Sequence, residues 1–387
     1  MTDWRLVAAL LFIVALILFA SRLDSLRGVF HWLPVPLWCY ALPMVAVAIG
    51  WLPSGDPVYR SLTNQLLPLA LALLLLGVDL PSVLRTGGAA LIAFAGGALG
   101  VVIGAPLAVW LLRAHLPPEA WTGAGSLAGT WTGGTMNLLA LRVLLQTPEH
   151  IFAPLVVVDA LLAYSWMALL VAGSGLQTPI NRWLRAPSHA GAGDSTSTST
   201  AQARASRPSH WLAVTASAAL ALALAASARS LAPHLPAFQL VSSSSGWAVL
   251  LVTTAALGLS LHPAIRHAGV HGSELGYGSL YIVLAATGAQ GNLGVLWSAP
   301  VWIVVGVIVI ALHAGVLVLV GRLCRIPLGI LSTASQANIG GVVSGPLVGA
   351  VYHQSLAPVG LLLAMAGNAL GTYLGLLAAS IARALRG

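Results

Sequence analysis

Asp159 is the residue of this sequence most able to do chemistry, because it is an acid inside an otherwise uncharged apolar run, 151–172. A carboxylate at the centre of a membrane helix costs at least about 2.5–3.5 kcal/mol, so it must be paired, hydrated or protonated. We expect it to bind a coupling ion or a proton; the alternative is a structural partner for Arg142 or a buried neutral acid. Asn368 takes the parallel position in the second half, followed by Thr372. A carboxylate facing an amide suits a monovalent cation such as sodium, since a divalent site would need more carboxylates.

Two glycine pairs among polar residues are the second signal, Gly133-Gly134 and Gly340-Gly341. A glycine pair lets a helix unwind, and lipid tolerates unwound backbone only where protein or an aqueous cavity surrounds it. Two half-helices that meet there direct the partial positive charge of their N-termini and the free carbonyls of their C-termini toward one point. The N-termini suit an anionic group and the carbonyls suit a cation. The predicted substrate-binding residues are Thr130, Trp131, Thr132, Gly133, Gly134, Thr135, Asn137, Ser335, Gln336, Asn338, Gly340, Gly341 and Ser344.

Other residues carry weaker signals. Close helix packing is the alternative for the glycine pairs, and it is the interpretation we prefer for the glycines at 96, 100 and 104, which have no polar neighbours. Asp79 and Asn292 could line a vestibule or cap helices. His313 could carry a proton, although a lone helix-borne histidine more often makes a structural hydrogen bond. Arg142 could contact an anionic substrate or extend to the membrane interface.

The composition places all these residues in a membrane protein. Of 387 residues, 58% are hydrophobic and 7% charged, and the mean hydropathy is +0.92. A soluble domain carries about a quarter charged residues, so that class is excluded. The sequence pI of about 10.3 does not indicate nucleic-acid binding, because the arginines fall in short stretches between apolar runs. Cys39 and Cys324 lie far apart and offer neither a disulfide framework nor metal-ligand spacing.

Apolar stretches near 20 residues predict about twelve transmembrane helices in an all-α polytopic protein. They lie near 4–21, 35–52, 61–80, 88–112, 119–145, 151–173, 210–232, 246–262, 275–291, 295–321, 327–351 and 356–382. The polar, arginine-bearing stretch 174–209 predicts a flexible cytoplasmic linker. The distribution of arginines favours cytoplasmic termini and a bacterial-type inner membrane, although Arg22 and Arg27 would then face outward.

The two halves resemble each other, with repeats at 1–173 and 210–387. The segment Asp159–Tyr164 parallels Asn368–Tyr373, each preceded by a glycine pair. Earlier in each half, Gly77-Val-Asp79 parallels Gly291-Asn292. We therefore predict a duplicated unit of about six helices, each with one discontinuous helix. If all six helices of each half spanned the membrane, the repeats would be parallel. If one helix of each half did not cross fully, the repeats would be inverted.

With these motifs the sequence resembles the YjcL-like integral membrane family. The resemblance lies in 129–137, Val158-Asp159, 334–341 and 371–375, and it covers nearly the whole chain. We group this family with the cation–proton antiporter and anion transporter superfamily, which includes the bile-acid–sodium symporters. The resemblance implies a core domain with two crossing discontinuous helices, a mobile panel domain, and sodium or proton coupling near the crossing. It assigns the ion-site carboxylate to Asp159, whereas the absence of a paired acid at 158 argues against two-proton antiport.

The function we expect is ion-coupled secondary transport, with sodium or a proton, of a small carboxylate-bearing organic solute by alternating access. An intramembrane hydrolase or a passive channel is the alternative; no nucleophile-elbow motif supports an enzyme. The expected partners are the lipid bilayer, the solute, the coupling ion and a second copy bound through the panel domain. We expect neither a cofactor nor nucleic acid.

Overall fold

The computed structural model describes residues 3–33, 35–84, 87–187, 207–237, 241, 243–291 and 299–386 as helices joined by short turns. The first half contains α1 (Asp3–Ala20), α2 (Arg27–Trp32), α3 (Val35–Ala48), α4 (Pro57–Leu75), α5 (Leu80–Leu84), α6 (Gly88–Leu111), α7 (Ala120–Gly133), α8 (Thr135–Leu144), α9 (Glu149–Ala172) and α10 (Gln177–Leu184). The second contains α11 (Arg207–Leu231), α12 (Ser244–Ser260), α13 (Pro263–Gly288), α14 (Ala299–Cys324), α15 (Leu328–Ile339), α16 (Gly341–Tyr352) and α17 (Leu356–Ala384). In the described ranges, seven helical stretches are long and apolar enough to cross a membrane, which confirms an all-α polytopic membrane protein.

Both discontinuous helices are hairpins that turn back. Along α7 and α8 the contacts run in opposite order: Gly129 lies against Leu141, and Gly125 against Leu145. In α15 and α16 a Cβ on Gly329 would lie 3.1 Å from Tyr352. At 1.5 Å per residue, α7 is about 21 Å and α8 about 15 Å long, enough to reach the middle of a hydrocarbon core about 30 Å thick. We call α7–α8 hairpin 1 and α15–α16 hairpin 2.

The hairpins correct two of the twelve predicted spans. The segments 119–145 and 327–351 each enter and leave on one side instead of crossing. Their tips hold the glycine pairs, where Gly134 has φ +77° and Gly341 φ +73°, a left-handed conformation that glycine adopts without steric cost. An apolar run of sufficient length does not by itself distinguish a helix that continues from one that reverses at such a pair.

The helices that the predicted repeat pairs with one another run antiparallel. A Cβ on Gly77, just after α4, would touch Gly269 and Val270 near the start of α13. Along α6 and α14, Gly96 faces Val320 and Gly104 faces Leu312, which confirms the packing role predicted for this glycine row. An inverted repeat, whose halves are related by a pseudo-two-fold axis in the membrane plane, would give this arrangement.

The helices form two bundles. A core bundle contains α6, α9, α14, α17 and both hairpins, and a panel bundle contains α1–α4 and α11–α13. Within the core, α7 and α17 pack antiparallel on facing rows of glycines, at 125, 129 and 133 and at 375, 371 and 367. A Cβ on Gly371 would lie 2.9 Å from the carbonyl oxygen of Gly129, so the two backbones are already in contact. Small residues at such an interface allow close approach and tight packing.

The ends of the helices lie on two opposite faces of the structure. The end of α9 and α10 lie beside the start of α15, where Asn181 Oδ1 accepts from the Leu328 N–H at 2.8 Å. At the opposite end, Arg386 of the C-terminal tail donates to the carbonyls of Leu116 and Pro117. We call these the linker face and the terminal face, and the alternation of spans places the start of α1 on the terminal face.

The start of the linker and the C-terminal tail lie at opposite ends of the structure, whereas the sequence predicted one cytoplasmic side for both. The stretch 174–209 is helical at its ends, in α10 and the first turn of α11, while 188–206 lies outside the described residues.

Candidate functional site

A cavity of about 340 Å³ lies where the two hairpin tips meet, between the core and the panel. Its core side is lined by residues of hairpins 1 and 2, α9 and α17, and its panel side by α2, the start of α3 and α13. Nine of the residues predicted for the site line it: Thr130, Gly134, Thr135, Asp159, Gln336, Gly340, Gly341, Ser344 and Asn368. The structure thus brings together the two glycine motifs and the acid, which are up to 238 residues apart between 130 and 368.

The second helix of each hairpin begins at this cavity. Gly134 precedes α8 and Gly340 precedes α16, and at neither terminus does a side chain form a capping hydrogen bond. The N-terminus of a helix carries roughly half a positive elementary charge from its aligned peptide dipoles. The two termini belong to hairpins that enter from opposite faces, so both present partial positive charge to the same space. This arrangement can bind an anionic group without a basic side chain.

Asp159 is held at the cavity by hairpin 1. Trp131 Nε1 donates to Asp159 Oδ1 at 2.9 Å, and the side chain of Thr130 hydrogen-bonds to the same carboxylate. Arg142 is not its partner, since Arg142 Nη2 pairs with Glu149 Oε2 at 2.7 Å. No basic residue is among the described residues that line the cavity. The structural ion pair considered for Asp159 is therefore absent from the described part of the chain.

Two oxygen-bearing side chains lie beside Asp159 or beside the tip of hairpin 1 that holds it. Thr130 supplies a hydroxyl that hydrogen-bonds to the carboxylate, and Asn368 Oδ1 of α17 lies 3.5 Å from the position of a Cβ on Gly134. Hard monovalent cations take carboxylate, hydroxyl and carbonyl oxygens. In the described ranges no three His, Cys, Asp or Glu side chains gather as a transition-metal site would require.

Several predicted site residues lie behind the cavity and hold the tips in place. Asn137 is fully buried; its Oδ1 accepts from Thr372 Oγ1 at 2.5 Å, and its Nδ2 donates to Gly133 O. Thr132 donates to Ala128 O at 2.8 Å. The Thr372 bond joins hairpin 1 to α17, as does a bond from Asn137 Nδ2 to Asn368 O at 3.3 Å. Thr372, predicted to couple the ion, thus lies one layer from the cavity.

Behind hairpin 2 a second polar group surrounds His313. Its Nδ1 lies 2.8 Å from Gly97 O and its Nε2 2.8 Å from Ser335 Oγ, which also accepts from Trp166 Nε1 at 2.9 Å. Because a carbonyl only accepts, Nδ1 carries the proton, and Ser335 donates to Nε2. Both ring nitrogens are satisfied in the neutral form, which favours the structural role for His313.

The remaining candidates lie outside the cavity. Asn338 Nδ2 donates to Phe94 O at 3.1 Å and joins hairpin 2 to α6. Asp79 accepts from Ser82 at 2.6 Å and pairs with Arg266 at 3.4 Å on the linker face. Asn292 lies outside the described residues.

The panel side of the cavity was not predicted. Tyr277 and Tyr281, four residues apart on α13, line it opposite Tyr164 of α9. The predicted ninth span began at 275, whereas α13 begins at Pro263 and contains Arg266 and Glu274. A tyrosine pair at helical spacing was a signal in the sequence, but nothing there showed which bundle its face would meet.

Comparisons with known proteins agree with this architecture. A family model described as "Protein of unknown function (DUF819)" matches residues 8–385. The chain is 24% identical over 356 residues to "Uncharacterized membrane protein YjcL" of Bacillus subtilis (strain 168), with 86% of each chain covered. The match spans both repeats, both hairpins and the cavity, and it confirms the YjcL-like resemblance. This multi-pass membrane protein belongs to the DUF819 family.

Proposed function

We propose that this protein is an ion-coupled secondary transporter of a small carboxylate-bearing solute. The observation that carries the proposal is the convergence of two uncapped helix N-termini and one carboxylate on a single cavity between two bundles. The termini would bind the solute's carboxylate, and Asp159 with Thr130 and Asn368 would bind sodium or a proton. A bound cation would also offset the negative charges of Asp159 and the solute, which gives a physical reason for coupling.

Alternating access is supported by an asymmetry between the hairpins. Aligned on their glycine pairs, Val343, Leu347 and Val351 of α16 correspond to Met136, Ala140 and Leu144 of α8. The α16 row is 71%, 56% and 47% exposed, whereas the α8 row is 6%, 0% and 0% exposed. The same face of a repeated element is thus buried in one repeat and open in the other. Exchange of these environments between the repeats would open the cavity to the opposite face.

The closed side lies at the terminal face. There α8 of the core packs on α12 of the panel, with Leu144 against Gly246. Beside it, Tyr40 of the panel donates to Glu149 at 2.6 Å, and Glu149 pairs with Arg142. On the other side the cavity itself separates α16 from α2 and α3. These contacts support our assignment of the structure to a state closed at the terminal face.

The alternatives have weaker support. A hydrolase would need an accessible nucleophile and base, but the Ser335–His313 pair is at most 1% exposed and lies away from the cavity lining. A passive channel would not need two repeats in unequal states. We therefore propose a carrier without enzymatic activity or an organic cofactor.

Location and assembly extend the proposal. Arginines at 182, 185, 266, 322 and 325 favour a cytoplasmic linker face in a bacterial-type inner membrane, which places both termini outside. Apolar side chains exposed on the panel, such as Phe12 and Phe19, would be covered by lipid or by a second copy in a homodimer.

Uptake into proteoliposomes tests the proposal. Labelled carboxylates and amino acids would be presented with a sodium gradient, a proton gradient or neither, and accumulation above equilibrium is expected with one gradient. In Asp159→Asn that dependence should disappear. Asp79→Asn is the matched control, because Asp79 is paired with Arg266 outside the cavity. Undiminished gradient-driven uptake in Asp159→Asn would remove this acid from the mechanism.

A further inference from the structure

Three tyrosine side chains surround the side of the cavity that faces the panel. Tyr164 belongs to α9 of the core, whereas Tyr277 and Tyr281 belong to α13 of the panel. Tyr277 and Tyr281 are one turn apart and share a helix face with Leu284, which also lines the cavity. An adjacent face of α13, with Gly269 and Gly276, packs closely against α4, and this packing fixes the orientation of the helix and of its tyrosines.

The three hydroxyls have no partner in the described part of the chain. The other tyrosines of the described ranges do have one: Tyr40, Tyr59, Tyr352 and Tyr373 each bond to a named group. Each tyrosine hydroxyl is a donor that needs an acceptor when water is excluded. The cavity lining therefore presents three hydroxyl donors to whatever occupies it.

We propose that Tyr164, Tyr277 and Tyr281 bind a second carboxylate at the far end of the solute, which makes the substrate a short dicarboxylate. This rests on the proposed function, in which the hairpin termini hold the first carboxylate. A carboxylate accepts hydrogen bonds through both oxygens and can satisfy several hydroxyls at once. An ammonium group has no acceptor and would leave the hydroxyl protons unpaired, and an alkyl end would leave all three unpaired.

The position of the tyrosines also gives them a role in opening and closing the cavity. The first carboxylate is bound by the core and the second by groups from both bundles, so the solute bridges the boundary that must open. Apolar residues of the same lining, such as Pro36, Ala160 and Leu280, suit the methylene chain of such a solute.

Binding measurements on the full-length protein test the inference. Succinate and glutarate would be compared with butyrate and valerate, which have the same chain lengths and one carboxylate. In the unmodified protein the better dicarboxylate should bind at least tenfold more tightly than its monocarboxylate. Tyr277→Phe or Tyr281→Phe should weaken dicarboxylate binding about ten- to a hundredfold, the range for losing a hydrogen bond to a charged group. Monocarboxylate affinity should change less than threefold.

Tyr59→Phe is the matched control, because the Tyr59 hydroxyl donates to Pro53 O at 2.8 Å, away from the cavity lining. Equal binding of both acid classes, or equal loss of both in the tyrosine variants, would overturn the inference. If the protein accumulates monocarboxylates or amino acids but rejects dicarboxylates, the transporter proposal stands and this inference fails. If it neither binds nor accumulates any of these acids, both fail.

Discussion

A disulfide between α8 and α12 should lock the transporter shut at the terminal face. A Cβ on Gly246 would lie 3.3 Å from the Cα of Leu144. Adding one carbon–carbon bond of roughly 1.5 Å gives an upper limit of about 4.8 Å for the Cα–Cα separation, which excludes a pair too far apart for a disulfide, because disulfides span about 4.4–6.8 Å. The double variant Leu144→Cys/Gly246→Cys, in a background with Cys39→Ala and Cys324→Ser, is therefore close enough to be cross-linked by oxidation.

The expected magnitude follows from the cross-linked fraction. If every transport cycle separates α8 from α12, a linked molecule completes no cycle, so the remaining uptake should equal the fraction of molecules without the disulfide. Uptake would be measured in proteoliposomes before oxidation, after oxidation, and after addition of a reductant. The fraction of cross-linked molecules would be measured on gels, in a variant that carries a protease site between the two cysteines. Reduction should restore uptake.

A control pair tests whether cross-linking as such is harmful. Ser217 of α11 and Gly272 of α13 lie in the panel, with a Cβ on Gly272 3.0 Å from that of Ser217. Ser217→Cys/Gly272→Cys should cross-link without loss of uptake, because both helices move together. Full linkage of 144 to 246 with undiminished uptake would refute the assignment of this contact as a gate.

Two further predictions concern topology and packing. Cys324 is exposed at the end of α14, whereas Cys39 is buried. An impermeant maleimide should therefore label the native protein at Cys324, and only from the cytoplasmic side. Labelling of intact cells from outside would reverse the proposed orientation. Gly371→Ala should lower stability by about 1–3 kcal/mol, since its Cβ would lie 2.9 Å from Gly129 O, whereas Gly278→Ala on α13 meets nothing within 4 Å and should not. Thermal unfolding in detergent measures both, and equal melting temperatures would show that the α7–α17 contact tolerates the added methyl group.

The membrane class and the candidate site were largely predictable from the sequence. Lipid provides no hydrogen-bond partners, so each apolar run had to be helical, and polar groups beside glycine pairs had to lie where backbone is shielded. For this reason Asp159, Asn368 and both glycine pairs were predicted, and the structure places Asp159, Asn368, Gly134 and the pair Gly340-Gly341 on one cavity. The sequence also predicted Asn137 and Thr372 for the site, but the structure places them one layer behind the cavity. Residue type and spacing do not show toward which side of a hairpin tip a side chain points.

Only the tertiary structure decided the direction of the chain and the composition of the second wall. A 27-residue apolar run such as 119–145 has the same sequence pattern whether it crosses the membrane or reverses at Gly134, yet the reversal decides the direction in which every later helix of the chain runs. The tyrosines of α13 belong to the site because glycines on an adjacent face of that helix pack against α4 and α11 and so fix its rotation. Local composition determines burial and helicity, whereas the contacts that orient a helix face come from residues far away in the chain.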